Sequence, residues 1–126
     1  MLAQAIQGYH TTEITTADRV RLVVLCYEGC IANAVRAKEA IEEGCVAKKS
    51  EYIGKASSIV SELMYALDME RGGEIAQRLQ MLYQYVLREL SQANLKNDPC
   101  LVDNALRVLR ELKIGWDTIV RKGPFI

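Results

Sequence analysis

The sequence predicts an all-α protein, an antiparallel up-down four-helix bundle with a short N-terminal capping segment. Apolar residues recur at spacings of three and four along most of the chain, and no stretch alternates in the manner of a strand. The only two prolines, Pro99 and Pro124, interrupt no apolar stretch. Because the loops between the four apolar stretches are too short for crossovers, consecutive helices are expected to be antiparallel.

Length and composition limit the class of protein. The 126 residues suffice for a single domain, in which residues 1–17 form a cap or tail and residues 18–122 the bundle. A hydrophobic content of 50% excludes intrinsic disorder, and the balance of 16 basic against 16 acidic residues argues against nucleic-acid binding. Because no apolar run approaches the roughly 20 residues of a membrane span, we expect an intracellular protein without membrane insertion.

The first helix is predicted to run from about Arg19 to Glu43. Asp18 is expected to be its N-cap, since its carboxylate can accept the free N–H groups of the first turn. Gly44 is expected to end the helix as its C′ residue. One face carries mostly small side chains, which allows close approach of a neighbouring helix. This face comprises Val23, Cys26, Cys30, Ala34, Ala37 and Ile41.

Three further helices follow from the same spacing. The second is predicted over Val46–Met69, and the third from just after Gly73 to about Leu95. Asp98 followed by Pro99 predicts the start of the fourth helix. The side chains expected in the core are Tyr52, Ile53, Ala56, Ile59, Val60, Leu63, Met64 and Leu67, then Ile75, Leu79, Leu82, Tyr83, Val86, Leu87 and Leu90, and finally Leu101, Val102, Ala105, Val108, Leu109, Leu112, Trp116 and Ile119.

The residues that carry chemistry in enzymes form no recognisable site. The four cysteines contain no C-x-x-C pair and the single histidine, His10, precedes the first helix, so neither a zinc site nor a di-metal site is expected. The thiols are interpreted as reduced core residues. Tyr27 beside Glu28 lacks a third orienting group, so Tyr27 is interpreted as a packing or partner contact. We therefore expect no catalysis, no metal and no cofactor.

The first half of the first helix is apolar almost all the way round. Besides the core face it carries Leu22 and Leu25 on one flank, and Val24, Ile31 and Val35 on the other. So much aliphatic surface requires a cover. The cover is either the N-terminal segment, where Leu2, Ile6 and Tyr9 recur at helical spacing, or a partner protein. The simpler alternative is that the N-terminal segment completes the bundle's own core and that this surface binds no partner.

Two smaller surfaces share this ambiguity between partner contact and ordinary solvent exposure. Away from its core stripe, the second helix presents an uncharged face of small residues. Met81 and Tyr85 lie one turn apart on the polar side of the third helix. Such scattered surface residues are common in proteins without a partner. The small face of the second helix comprises Gly54, Ser57, Ser58 and Ser61.

Several motifs resemble those of one family. The stretch from Ser61 to Gln77, S-E-L-M-Y-A-L-D-M-E-R-G-G-E-I-A-Q, closely resembles a helix–helix hairpin of the flagellar secretion chaperone FliS. The L-C-Y-E-G-C-I run at 25–31 is similar to that family's M-L-Y-D-G-A-I. Residues 92–98 resemble its last loop, and L-R-E-L at 109–112 before Trp116 resembles its last helix. The resemblance covers roughly residues 9–120, while Asp18-Arg19 replaces the family's usual Ser-Pro.

The resemblance implies a cytosolic chaperone that binds the disordered C-terminal segment of flagellin in an apolar groove. It would prevent premature polymerisation and assist delivery to the flagellar type III export gate. In this family the N-terminal segment can cap the groove. The partner-binding residues expected on this basis are Ile6, Tyr9, Leu22, Leu25, Tyr27 and Ile31.

An alternative of a different class is a regulatory binding module that sequesters a flagellar control protein, such as an anti-sigma factor. The export gate and a co-chaperone are further partners that the resemblance implies. In either case the expected mechanism is stoichiometric masking of an apolar segment, without catalysis or ATP.

Overall fold

The computed structural model describes residues 16–122 and confirms the all-α four-helix bundle. The helices are α1 (Thr16–Glu43), α2 (Val46–Tyr65), α3 (Met69–Lys96) and α4 (Pro99–Lys122), and no strand occurs in this range. The predicted N-terminal capping segment lies outside the described residues. None of the four helices is long and apolar enough to cross a bilayer.

The helices form a ring in which each contacts two neighbours. α1 packs against α2 and α4, and α3 packs against the same two helices, so that α1 and α3 lie diagonally opposite. The inner face of α1 is built largely of small side chains, as predicted. Its fully buried positions include Cys30, Ala34 and Ala37. Small side chains allow close packing of the neighbouring helices, and Sγ of Cys30 contacts the carbonyl oxygen of Ala56 in α2 at 3.5 Å.

The carboxyl end of α1 matches the prediction, whereas its amino end does not. Gly44 ends the helix as predicted, with a φ of +74°, and its N–H donates to the carbonyl oxygen of Ile41. The N–H of Cys45 donates to the carbonyl oxygen of Ala40, and this second hydrogen bond completes a Schellman motif. The prediction for Asp18 as N-cap is wrong, because α1 already begins at Thr16. An acidic residue in the first turn still interacts favourably with the helix dipole.

The joint between α2 and α3 lies earlier than predicted. α2 ends at Tyr65, not at Met69, and α3 begins before Gly73 instead of after it. Asp68 caps α3, since its Oδ1 accepts the N–H of Arg71 at 3.0 Å. One turn later the helix is kinked at Gly73, whose φ of 51° and ψ of −129° are unfavourable for any residue with a side chain. The adjacent Gly72 has no room for a Cβ, which would lie 2.6 Å from Cβ of Ala76.

The opposite end of the bundle is closed by polar contacts. Lys49 of α2 is 7% exposed, and its ammonium donates to the carbonyl oxygen of Asn94 at 2.9 Å and to Oδ1 of Asn97 at 2.6 Å. These oxygens lie at the carboxyl end of α3, where the helix dipole favours a cation. Asp98 caps α4 as predicted, because its Oδ1 accepts the N–H of Cys100 at 2.9 Å. Sequence analysis did not identify the role of Lys49.

The predicted core is largely confirmed. Most of the expected residues are buried or are half-buried against the core. The core prediction is wrong for three residues that are exposed, namely Ile75, Leu82 and Ile119. Ile75, which is 72% exposed, follows the kink of α3 near the end of the bundle. Buried residues that prediction missed include Ala40, Ala76, Ala93 and Leu106.

All four cysteines are free thiols, and two of them belong to the core. Cys26 and Cys30 lie one turn apart on the inner face of α1. Burial raises the pKa of Cys26 to about 11, with a further contribution from the negative charge of Glu62. Burial raises the pKa of Cys30 to about 12. Both thiols are therefore protonated and unreactive in the folded protein near neutral pH.

Replacing Gly73 with alanine should destabilise the fold by about 1–3 kcal/mol, because the side chain cannot adopt this backbone conformation without strain. Gly115 is the matched control: it lies inside α4, and no atom lies within 4 Å of the position that a Cβ would take there. Gly115→Ala should therefore stabilise the helix by up to about 1 kcal/mol. Urea unfolding followed by circular dichroism measures both changes. Equal effects of the two substitutions would contradict the strain at Gly73.

The buried thiols should make the fold less stable in alkaline solution. Their contribution is fully present below the unfolded-state pKa of about 8.5 and is lost as the pH rises towards the folded-state values, because only the unfolded chain ionises in that interval. The free energy of unfolding should fall by roughly 1–3 kcal/mol between pH 8.5 and pH 10.5. In the Cys26→Ala/Cys30→Ala variant this fall should be smaller, and an unchanged pH dependence would contradict the assignment.

Candidate functional site

A surface groove of about 600 Å³ runs between α1 and α2. Its wall on α1 is Asn33, whose side-chain amide donates to the carbonyl oxygen of Gly29 at 2.8 Å. On α2 it includes Gly54 and Ser58, two exposed residues of the small face that the sequence indicated, together with the charged side chains of Glu51 and Lys55. The residues that line this α1/α2 groove are Asn33, Ser50, Glu51, Gly54, Lys55, Ser58 and Ile59.

Close helix packing and flanking charges define the shape of the groove. A Cβ on Gly29 would lie 3.6 Å from Cδ1 of Ile59, so the two helices are near van der Waals contact at this point. Towards the other end, the guanidinium of Arg36 lies 5.8 Å from the ring centroid of Tyr52, and the ammonium of Lys55 lies 5.7 Å from it. The groove therefore combines small residues with an ion pair, since the ammonium of Lys55 lies 3.1 Å from a carboxylate oxygen of Glu51, and it ends near an aromatic ring.

Two of the predicted binding residues lie on the groove side of α1. Leu22 and Leu25 precede Gly29 by seven and four residues, which places them on the flank of α1 that faces α2. Leu22 is half-buried, whereas Leu25 is 61% exposed although it is a large aliphatic residue. Leu25 does not line the groove itself, and it exposes apolar surface on the same flank about two turns nearer the start of α1 than Asn33.

The structure does not bring the other predicted residues to this surface. Ile31 lies six residues after Leu25, hence about 120° away around the helix, and it packs half-buried against the core. Tyr27 has no exposed surface, so its burial argues against the predicted direct contact with a partner. Ile6 and Tyr9 lie outside the described residues. The predicted set is therefore divided between two flanks of α1 and the core.

A second cavity, of about 170 Å³, lies at the end of the bundle where α1 begins. We call it the end pocket. It is formed by the first turns of α1, the joint between α2 and α3, and the last turns of α4, and its walls are largely apolar. The residues that line it are Val23, Leu63, Ala66, Leu67, Asp68, Leu79, Tyr83 and Trp116. Prediction placed several of these side chains in a continuous core and missed the cavity, because sequence periodicity does not show where helices diverge.

A buried hydrogen bond lies beside the end pocket and joins α1 to α3 across the bundle. The hydroxyl oxygens of Tyr27 and Tyr83 are 2.6 Å apart, and the rings are tilted by 43°. Burial raises the pKa of Tyr27, and hydrogen bonds from Tyr83 and Trp116 partly offset this effect. Burial also raises the pKa of Tyr83, more strongly. Both phenols are therefore neutral over the physiological pH range and act as hydrogen-bonding groups.

The charged side chains near these cavities form surface pairs and no reactive cluster. The ammonium of Lys113 lies 2.7 Å from Asp117 and 3.9 Å from Glu28, which links α4 to α1, and Lys38 pairs with Asp103 at 3.0 Å. Within residues 16–122, no group of three or more histidine, cysteine, aspartate or glutamate side chains is arranged to hold a metal ion.

Comparison with known proteins agrees with the motifs. The family model described as "Flagellar protein FliS" matches residues 1–123. The chain is similar to the flagellar secretion chaperone FliSB of Pseudomonas aeruginosa, with 39% identity over 107 residues that cover 85% of each protein. It is also 35% identical to FliS of Vibrio cholerae over 86% of this chain and 79% of the relative. FliS of Salmonella typhimurium is 35% identical over 89% of this chain and 84% of the relative.

The match to the family model extends across all four helices, and it therefore includes the α1/α2 groove and the end pocket. The chain therefore belongs to the FliS family of flagellar secretion chaperones.

Proposed function

We propose that this protein binds the C-terminal segment of flagellin on the side of α1 that faces α2. The observation that carries the proposal is the 61% exposure of Leu25 on the flank of α1 that faces α2, about two helical turns from Asn33 in the groove wall. An isolated exposed leucine needs no explanation, but a large apolar side chain on the same flank as a surface groove favours a binding site. Membership of a family of flagellar secretion chaperones supports flagellin as the expected partner.

The binding is stoichiometric and needs neither a cofactor nor ATP. A segment that is disordered when free buries its apolar side chains against Leu22 and Leu25 and along the groove. Ordering this segment opposes binding, so the affinity reflects the buried apolar area minus that entropic cost. While it is bound, the segment cannot make the contacts of flagellin polymerisation. The chaperone thus acts on the cytoplasmic side, before export, and helps to deliver flagellin to the type III export gate.

Calorimetric titration with the C-terminal segment of the flagellin from the same organism tests the proposal. We expect one-to-one binding with a negative heat-capacity change, which is the mark of apolar burial. Absence of binding would overturn the proposal. Binding of an anti-sigma factor instead would support the regulatory alternative.

Replacing Leu25 with aspartate should weaken flagellin binding at least tenfold, since an unpaired charge would then face the apolar segment. Leu95→Asp is the matched control, because Leu95 is 76% exposed near the carboxyl end of α3 and lines neither the groove nor the end pocket. Both variants should keep the helical circular dichroism of the parent. Calorimetric titration measures the affinity of each variant for the flagellin segment. Equal affinities would show that Leu25 does not belong to the binding surface.

Replacing Gly54 with methionine should fill part of the α1/α2 groove and weaken flagellin binding. Gly115→Met is its control, since both glycines lie inside helices with no neighbouring atom within 4 Å of the position of a Cβ. Each substitution should raise the free energy of unfolding by about 0.5–1 kcal/mol, because glycine disfavours helix. Only Gly54→Met should reduce the affinity. If it binds flagellin as well as Gly115→Met does, the segment does not occupy the groove.

A further inference from the structure

The end pocket has apolar walls that the four helices leave partly open to solvent. Four of its lining side chains are only half-buried, and each is apolar or aromatic. The volume of about 170 Å³ exceeds that of an engineered cavity, about 150 Å³, known to hold benzene, so the pocket has room for one phenyl ring. A concave apolar surface of this kind favours an apolar occupant. The half-buried walls include Val23, Leu67, Leu79 and Trp116.

A segment of this same chain starts within reach of the pocket. α4 ends at Lys122, six residues after Trp116, which corresponds to about 9 Å along the helix axis. Residues 123–126, Gly-Pro-Phe-Ile, follow in the sequence. Because three residues of extended chain span about 10 Å, Phe125 can return from the end of α4 to the level of Trp116.

The sequence of residues 123–126 favours such a reversal of the chain. Glycine followed by proline is a turn signal, since glycine adopts backbone angles that other residues avoid and proline cannot continue a helix. Phe125, the only phenylalanine of the chain, comes directly after this pair. An aromatic, apolar side chain therefore follows the turn at the end of the bundle that contains the pocket.

The surface between Lys122 and the pocket is apolar as well. Ile119 and Val120 follow Trp116 by three and four residues, so the three side chains lie on one side of α4. Ile119 is 44% exposed, although its spacing predicted a core position, and Val120 is half-buried. A segment that returns along this side of α4 would cover both residues.

We propose that residues 123–126 fold back over the end of α4 and that the ring of Phe125 occupies the end pocket. This inference concerns the protein before it binds a partner, and it does not depend on the proposed function. The ring then completes the core at the end of the bundle where α3 is kinked at Gly73. The segment is thus an internal ligand of the bundle, held by burial of apolar surface.

Trp116 provides a direct readout, because it is the only tryptophan of the chain and lines the pocket. Phe125→Ala should move its fluorescence emission to longer wavelength and increase its quenching by acrylamide, since water then reaches the ring. The Tm should fall by roughly 3–8 °C while the helical circular dichroism is kept. Ile126→Ala is the matched control in the same segment and should change emission and Tm much less. Equal effects of the two substitutions, or no effect of Phe125→Ala, would overturn the inference.

A second variant, Ala66→Leu, tests where Phe125 packs. Ala66 lines the pocket at the carboxyl end of α2 and is half-buried, so a leucine there should fill the cavity. In this background Phe125→Ala should lower the Tm by less than half as much as it does in the parent protein. An undiminished effect would show that Phe125 packs elsewhere. If deletion of residues 1–15 exposes Trp116 and Phe125→Ala does not, the occupant is the N-terminal segment, and the inference is wrong.

Discussion

The small inner face of α1 is the constraint on which the rest of the structure depends. Cys30, Ala34 and Ala37 of α1 lie at the centre of the bundle. Because these side chains are small, the neighbouring helices pack close to α1, and α1 contributes few large side chains to the core. The bulky aliphatic residues of this helix consequently lie on its two flanks. The flank that faces α2 carries Leu22 and Leu25, and the seam between these helices is the place where apolar surface meets a groove.

Polar groups give the bundle a defined geometry where apolar packing alone would not. The bond between Tyr27 and Tyr83 joins the diagonal helices, and the ammonium of Lys49 fixes the end of α3 against the start of α2. An apolar core of the same volume would tolerate rotation or sliding of the helices more readily. Both contacts therefore determine which side chains line the cavities as well as how firmly the helices are held.

Periodicity and caps predict the fold closely, because they depend on residues that are near in sequence. Features predicted in this way include the helix end at Gly44, the cap at Asp98 and most of the buried helix faces. Side-chain placement across helices depends on packing that no local pattern contains. The role of Lys49 and the cavity at the bundle end therefore escaped prediction, and the sequence left open whether Tyr27 packs in the core or contacts a partner. The third helix was predicted to begin just after Gly73, whereas the backbone angles of Gly73 place it at a kink inside α3.

The two ends of the bundle differ in how firmly they are closed, and this has a kinetic consequence. One end combines a Schellman motif, a helix cap and the buried contacts of Lys49 beside a cavity of about 220 Å³. The other end contains the kink of α3 and a cavity of about 170 Å³. Because Gly73 interrupts the regular helical backbone there, opening of the kinked end needs less free energy than global unfolding of the bundle. That end can therefore open and close many times during the lifetime of the folded state.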